Sequence, residues 1–126
     1  MDNSAARWSK VSVALWVIQV LTAAMFLMAG GKKLAGDEQM VGMFNLIGMG
    51  QWFRYVTGSI EVVAAVLLLT PRFAGVGALL LAGTMVGAIL THVLIVGGSF
   101  APSAVLLVLM ILVAYGRRER TLGLLK

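Results

Sequence analysis

Four long apolar runs, separated by polar or turn-forming residues, organise this chain: Val11 to Gly31, Phe53 to Thr70, Phe73 to Val96 and Pro102 to Gly116. Within them the polar and small residues recur every three or four positions, which predicts helices. In the first, Gln19, Ala23, Phe26, Gly30 and Lys33 share one face. In the second, Arg54, Thr57/Gly58, Glu61 and Ala64/Ala65 share a face, while Val62, Val66 and Leu69 lie off it. The third carries Thr84, Ala88 and His92 in one row and Gly83, Gly87 and Thr91 in the next, the latter with a GxxxG spacing that lets helices approach closely. The fourth is nearly all Leu, Val, Ile and Met and has little to hide.

The connections complete this pattern. Leu34 to Gly50 is rich in Met and Gly, and Met40, Met43/Phe44 and Ile47 follow Asp37 and Glu38 at helical spacing, which predicts a short amphipathic helix lying at an interface. Trp52, Phe53 and Tyr55 then introduce the second run as an aromatic belt would. The turn at Thr70-Pro71-Arg72 is so short that runs two and three must be antiparallel neighbours. Gly97-Gly98-Ser99 breaks the chain before Pro102 opens the fourth run.

With 60% hydrophobic and 12% charged residues in 126, the chain has too little polar surface for a water-soluble domain, and four spans of ~20 residues nearly fill it. The expected fold is all-α: a single-domain integral membrane four-helix antiparallel bundle with a short interfacial helix between spans one and two. No soluble catalytic or nucleic-acid-binding domain fits. The polar, basic residues 1–10, with Trp8, precede a run longer than the ~7–15 residues of a signal core, so a retained first span is expected.

The net charge of +5 describes topology rather than nucleic-acid binding, because the Lys and Arg residues sit at the ends of the runs. Arg7, Lys10, Arg72, Arg117, Arg118, Arg120 and Lys126 fall on one side of a four-span chain, against Lys32, Lys33 and Arg54. The excess places both termini in the cytoplasm of a cell whose inner membrane holds the protein. Cysteine is absent, so a disulfide framework, thiolate metal sites and dithiol redox chemistry are excluded for the chain itself.

Glu61 is the residue that most needs a partner, since a carboxylate inside an apolar span costs a few kcal/mol and rarely faces lipid. In the expected topology Lys33, Arg54, Glu61 and His92 converge in the outer half of the bundle, Glu61 and His92 both roughly 7–10 Å below the interface. Two functions suit such a cluster. One is a site for a small lipophilic or quinone-like molecule: Lys33 and Arg54 hold an oxygen, His92 hydrogen-bonds, and Glu61 orients them or exchanges protons. Gln19 and Trp52 join the candidate residues, with Phe26 and Phe53 against the apolar part. The other is an accessory or assembly subunit for a membrane protein, or a homo-oligomer, in which Glu61 pairs with Arg54 or Lys33 only to lock helix register, His92 merely packs and Gln19 makes an interhelical hydrogen bond. A proton-coupled exporter would need dimerisation to find room. Lys32 is read as a lysine reaching the headgroups, and the eight methionines as gap-fillers. No Ser-His-Asp set, P-loop or zinc spacing occurs, and one histidine cannot ligate a haem twice; an enzyme acting on its own is not expected.

The segments Phe26-Leu-Met-Ala29-Gly30-Gly-Lys-Lys33-Leu34, Gly48-Met-Gly50-Gln-Trp52-Phe-Arg54-Tyr-Val-Thr57-Gly58-Ser-Ile-Glu61-Val, the Thr70-Pro71-Arg72 turn and Met85-Val-Gly-Ala88-Ile-Leu-Thr-His92 resemble the DoxX-like family in order and spacing. The resemblance covers the first span through the third. It implies a small four-helix membrane bundle and links to membrane redox systems, some members being named as a subunit of a thiosulfate:quinone oxidoreductase and some eukaryotic relatives as receptor-assembly chaperones. Lys33, Arg54, Glu61 and His92 are kept.

Overall fold

A computed structural model describes residues 9–124. The basic start with Arg7 and Trp8, and Lys126 at the other terminus, lie outside the described residues. Six α-helices follow in order: α1 (Lys10–Ala35), α2 (Glu38–Ile47), α3 (Trp52–Leu68), α4 (Ala74–Thr91), which runs into a π-helical turn (His92–Val96), α5 (Ala101–Gly116) and α6 (Arg118–Gly123). No strand occurs among the described residues, so the chain is all-α.

Local chemistry sets the ends. The Ser9 side chain accepts from the Ser12 amide and opens α1, and Gly36, in the left-handed conformation at φ 78°, returns its N–H to the Lys32 carbonyl and closes it. Gly48 closes α2 in the same way, onto Phe44. α3 stops at Leu68, two residues before the expected end, as the chain turns toward Pro71; α5 begins with Pro102 in its first turn, where the missing N–H is harmless. Two helices are long and apolar enough to cross a membrane, α1 with 26 residues and α4 with its π turn, 23 residues; α3 and α5, with 17 and 16, are shorter than ~20 residues.

α1, α3, α4 and α5 pack side by side in that cyclic order, each against its two neighbours. Gln19 of α1 meets Leu68 at the end of α3, while Lys33 meets Glu61 nearer its start, so the two run antiparallel. The expected inner faces are the buried ones. Gln19, Ala23, Phe26, Gly30 and Lys33 of α1 are buried, as are Arg54, Gly58, Glu61, Ala64 and Ala65 of α3. The core between them gathers Leu15, Ala23, Phe26, Leu68, Leu81, Met85, Met110 and Val113. α5 buries only Met110 and Val113, in keeping with a helix that has little to hide.

Glycines set how closely the helices cross, though not those of the GxxxG row. A Cβ on Gly58 would lie 2.9 Å from the Lys33 Cβ and 3.0 Å from the Gly30 carbonyl, so α1 and α3 touch through two glycines. Gly77 of α4 lies equally close to the backbone of α3 at Ala64 and Leu68. By contrast, a Cβ on Gly83 or Gly87 would meet nothing within 4 Å. The expected close contact at that row is corrected: the small residues there leave space.

Candidate functional site

That space is a cavity of about 420 Å³ between α3 and α4, at the end of the bundle where α1 finishes. α2 closes it over the top with Met43, Phe44 and Ile47; α3 contributes Phe53, Thr57, Ile60 and Glu61; α4 and its π turn contribute Gly83, Thr84, Gly87, Ala88, Thr91 and His92. Lys33 reaches in from α1. Phe44 is 4% exposed and rests on Phe53 with ring centroids 5.8 Å apart, which seats the amphipathic helix on the bundle. The volume and the mainly apolar lining with a few polar groups are those of a small-molecule pocket.

The charged element of the wall is an ion pair. Lys33 Nζ lies 2.8 Å from Glu61 Oε1, and the two side chains are 10% and 4% exposed. The Gly30–Gly58 crossing brings their backbones close enough for the pair to form directly. Oε1 has Lys33 as its charge partner and no other partner among the described residues. A buried carboxylate oxygen left in that state calls for a further hydrogen-bond partner.

The two cations expected beside Glu61 divide their work. Arg54 is buried but does not reach the carboxylate. Its Nη1 donates to the Lys33 backbone carbonyl, its Nε donates to Gln51 Oε1 at 2.6 Å, and its guanidinium lies 4.3 Å over the Tyr55 ring. It thus caps a carbonyl left free at the end of α1 and holds the backbone that carries Lys33. Arg54 is a positioning residue, and Lys33 alone completes the pair.

Glu61 and His92 both line the cavity, but no hydrogen bond joins them among the described residues. The His92 ring instead places Nδ1 2.9 Å from the Gly97 carbonyl, and the Gly97 N–H donates to the His92 carbonyl at 2.8 Å. This reciprocal link closes the π turn. It requires φ 79° at residue 97, a region that favours glycine.

Three expected contributors lie elsewhere. Trp52 is 58% exposed, stacks edge-on against Phe53 at 5.7 Å and is outside the cavity wall; Phe26 is buried in the core. Gln19 is at the opposite end of the bundle. Its Nε2 donates to the Leu68 carbonyl at 2.8 Å, and its Oε1 accepts from Arg117 Nε at 2.8 Å. Arg117 also donates to the Ser12 hydroxyl and carbonyl, both at 3.2 Å, and sits 5.3 Å over the Trp16 ring. Gln19 therefore bolts α1, α3 and α5 together, the interhelical reading of that residue. Arg117, which the sequence offered only as a topological charge, is its partner.

Among the described residues no group of three His, Asp or Glu side chains converges to hold a metal. The polar groups on the wall are Lys33, Glu61, His92 and the hydroxyls of Thr57, Thr84 and Thr91, and its apolar ones include Phe44, Phe53 and Ile60.

Residues 17–115 match the model of the DoxX-like family, a span that contains every residue lining the cavity. A Bacillus subtilis (strain 168) protein named "Putative oxidoreductase CatD" is 35% identical over 78 residues, which make up 60% of this chain and 56% of that relative. The chain thus matches little more than half the length of that relative. No solved structure matches it.

Proposed function

Because the chain belongs to the DoxX-like family, we propose that it is an integral membrane protein whose α1, α3, α4 and α5 cross the bilayer as an antiparallel bundle. Its cavity then binds a small lipophilic, quinone-like molecule in a membrane redox context. The observation that carries this reading is the buried Lys33–Glu61 pair set in the wall of a mainly apolar cavity of about 420 Å³. A buried charge pair that only held helices together would gain nothing from facing an open space, where each ion keeps part of its desolvation cost.

The outer surface supports the bilayer setting. Val17, Leu21, Met28, Leu94, Val105 and Ile111 are each more than half exposed, and such side chains ring the whole bundle. In the proposed topology both termini are cytoplasmic and the cavity lies in the outer half. A cysteine introduced at Ser99 should react with an impermeant thiol reagent in whole cells, and one at Thr121 should not; the reverse pattern would overturn the orientation. The redox context comes from the name of the Bacillus subtilis relative.

Gly83 offers the test of the site. A leucine there has room to grow into the cavity without meeting another helix, and it replaces glycine by a better helix former. Detergent-purified wild-type protein should gain several degrees of melting temperature on addition of decylubiquinone or its quinol. Gly83→Leu should keep its own melting temperature and gain none. An equal gain in both would place the binding elsewhere.

An accessory or assembly subunit is the second reading, and one observation favours it. An apolar groove of about 410 Å³ runs between α1 and α5, lined by Ile18, Leu21, Met25, Val105, Leu106 and Leu109 among others. It could receive a helix of another membrane protein. In that case Gly83→Leu would be silent in cells, whereas bulky residues at Leu21 and Val105 would release a stoichiometric partner from pull-downs in mild detergent.

A further inference from the structure

The cavity wall is unusually one-sided in its hydrogen-bonding capacity, and this bears on which molecule it would take. Each threonine on it spends its proton inside its own helix: Thr57 Oγ1 donates to the Phe53 carbonyl at 2.8 Å, Thr84 to Leu80 at 2.9 Å and Thr91 to Gly87 at 2.8 Å. What each hydroxyl keeps for a visitor is lone pairs. His92 is constrained in the same sense. The Gly97 carbonyl can only accept, so the contact at 2.9 Å puts the proton of a neutral imidazole on Nδ1 and leaves Nε2 as an acceptor. Glu61 Oε1 accepts as well, but it is buried and already has Lys33 against it. Lys33 is the one side-chain ammonium on the wall, and it already lies against that oxygen.

Resting on the proposed cavity function, we propose that the site selects a ligand by its hydroxyl donors, and that it holds a lipophilic hydroquinone or phenol in preference to the corresponding quinone. A quinone offers carbonyl acceptors only. Placed against Thr84, Thr91 and His92 Nε2 it sets acceptor against acceptor and forgoes the hydrogen bonds those groups can accept, leaving Lys33 as its one charged donor. A hydroquinone meets the same atoms with O–H groups, while Lys33 keeps spare N–H groups for one of its oxygens. The geometry achieves this selection without any group specific to one ring system, because the donors were removed from the wall by the helices themselves.

Three probes of similar shape separate the possibilities: menadiol, menadione and the dimethyl ether of menadiol, which has the shape of the diol without its donors. Binding to the purified full chain would be measured anaerobically. Menadiol should bind about tenfold more tightly than either of the others, the equivalent of one or two hydrogen bonds. The double variant Thr84→Val, His92→Phe should abolish the preference, bringing the affinities of menadiol and menadione together. Equal affinities, a tighter quinone, an ether as tight as the diol, or a preference that survives the double variant would each overturn the selection while leaving the cavity as a binding site. If none of the three probes binds the wild-type chain, the cavity reading falls and the selection falls with it.

Discussion

Lys33→Ala should cost about 3–5 kcal/mol, enough to remove most folded protein from detergent extracts, because it strands the Glu61 carboxylate in a wall where no second cation reaches it. Arg54 cannot take over, being committed to the Lys33 carbonyl, Gln51 and the Tyr55 ring. Glu61→Ala should be nearly as damaging, for it leaves the ammonium of Lys33 with no countercharge. Glu61→Gln should be milder, since the amide oxygen can still accept from Lys33. The informative variant is the double one, Lys33→Met with Glu61→Leu. Swapping a buried pair for apolar groups of similar volume is often neutral or stabilising, so the double variant should recover the yield and melting temperature that Lys33→Ala loses. It should also lose any ligand that depends on the pair. Failure of the double variant to recover would mean that the pair holds the fold through more than its mutual charge.

Gly58→Leu should be among the most damaging apolar changes. The added side chain starts 2.9 Å from the Lys33 Cβ and 3.0 Å from the Gly30 carbonyl, and backbone cannot step aside as a side-chain tip can. Overpacking of this kind costs roughly 1–3 kcal/mol or more, and here it also pushes α1 away from α3 and pulls Lys33 off Glu61. Loss of the folded peak on size exclusion is the expected readout. Gly87→Leu is the matched control, since its Cβ would enter open space; a similar loss at both positions would show that glycine is needed for helix flexibility and not for close approach.

The helix faces could be read from the sequence because burial follows the 3.6-residue period: the residues grouped with Gln19 on α1 and with Glu61 on α3 are the ones the fold hides. The partners were harder. Arg54 carries a full charge, and charge suggests a carboxylate, but its long side chain reaches a helix-end carbonyl that no residue type announces. Gln19 and Lys33 share a face yet lie fourteen residues apart, roughly 21 Å along a helix, so they could not serve one site. Trp52 is two residues from Arg54, which turns it some 200° around the helix and out of the bundle. The GxxxG row misled because the motif states only that side chains are small. Whether the gap is filled by a neighbouring helix or left open depends on where the helices cross, and the crossings are at Gly30–Gly58 and at Gly77.

The bolt formed by Gln19, Leu68 and Arg117 lies at one end of the bundle, and the cavity lies at the other. Stiffness must therefore fall along the long axis. At the Arg117 end three helices are tied by buried hydrogen bonds and Gly77 is wedged against the backbone of α3; at the Lys33 end the same α3 and α4 are separated by an unfilled volume. The bundle is tied where Arg117 sits and open where Glu61 and His92 line the cavity. On the proposed function, an occupant of that gap would bear most directly on α2, which packs on both α3 and the π turn and so links the two walls.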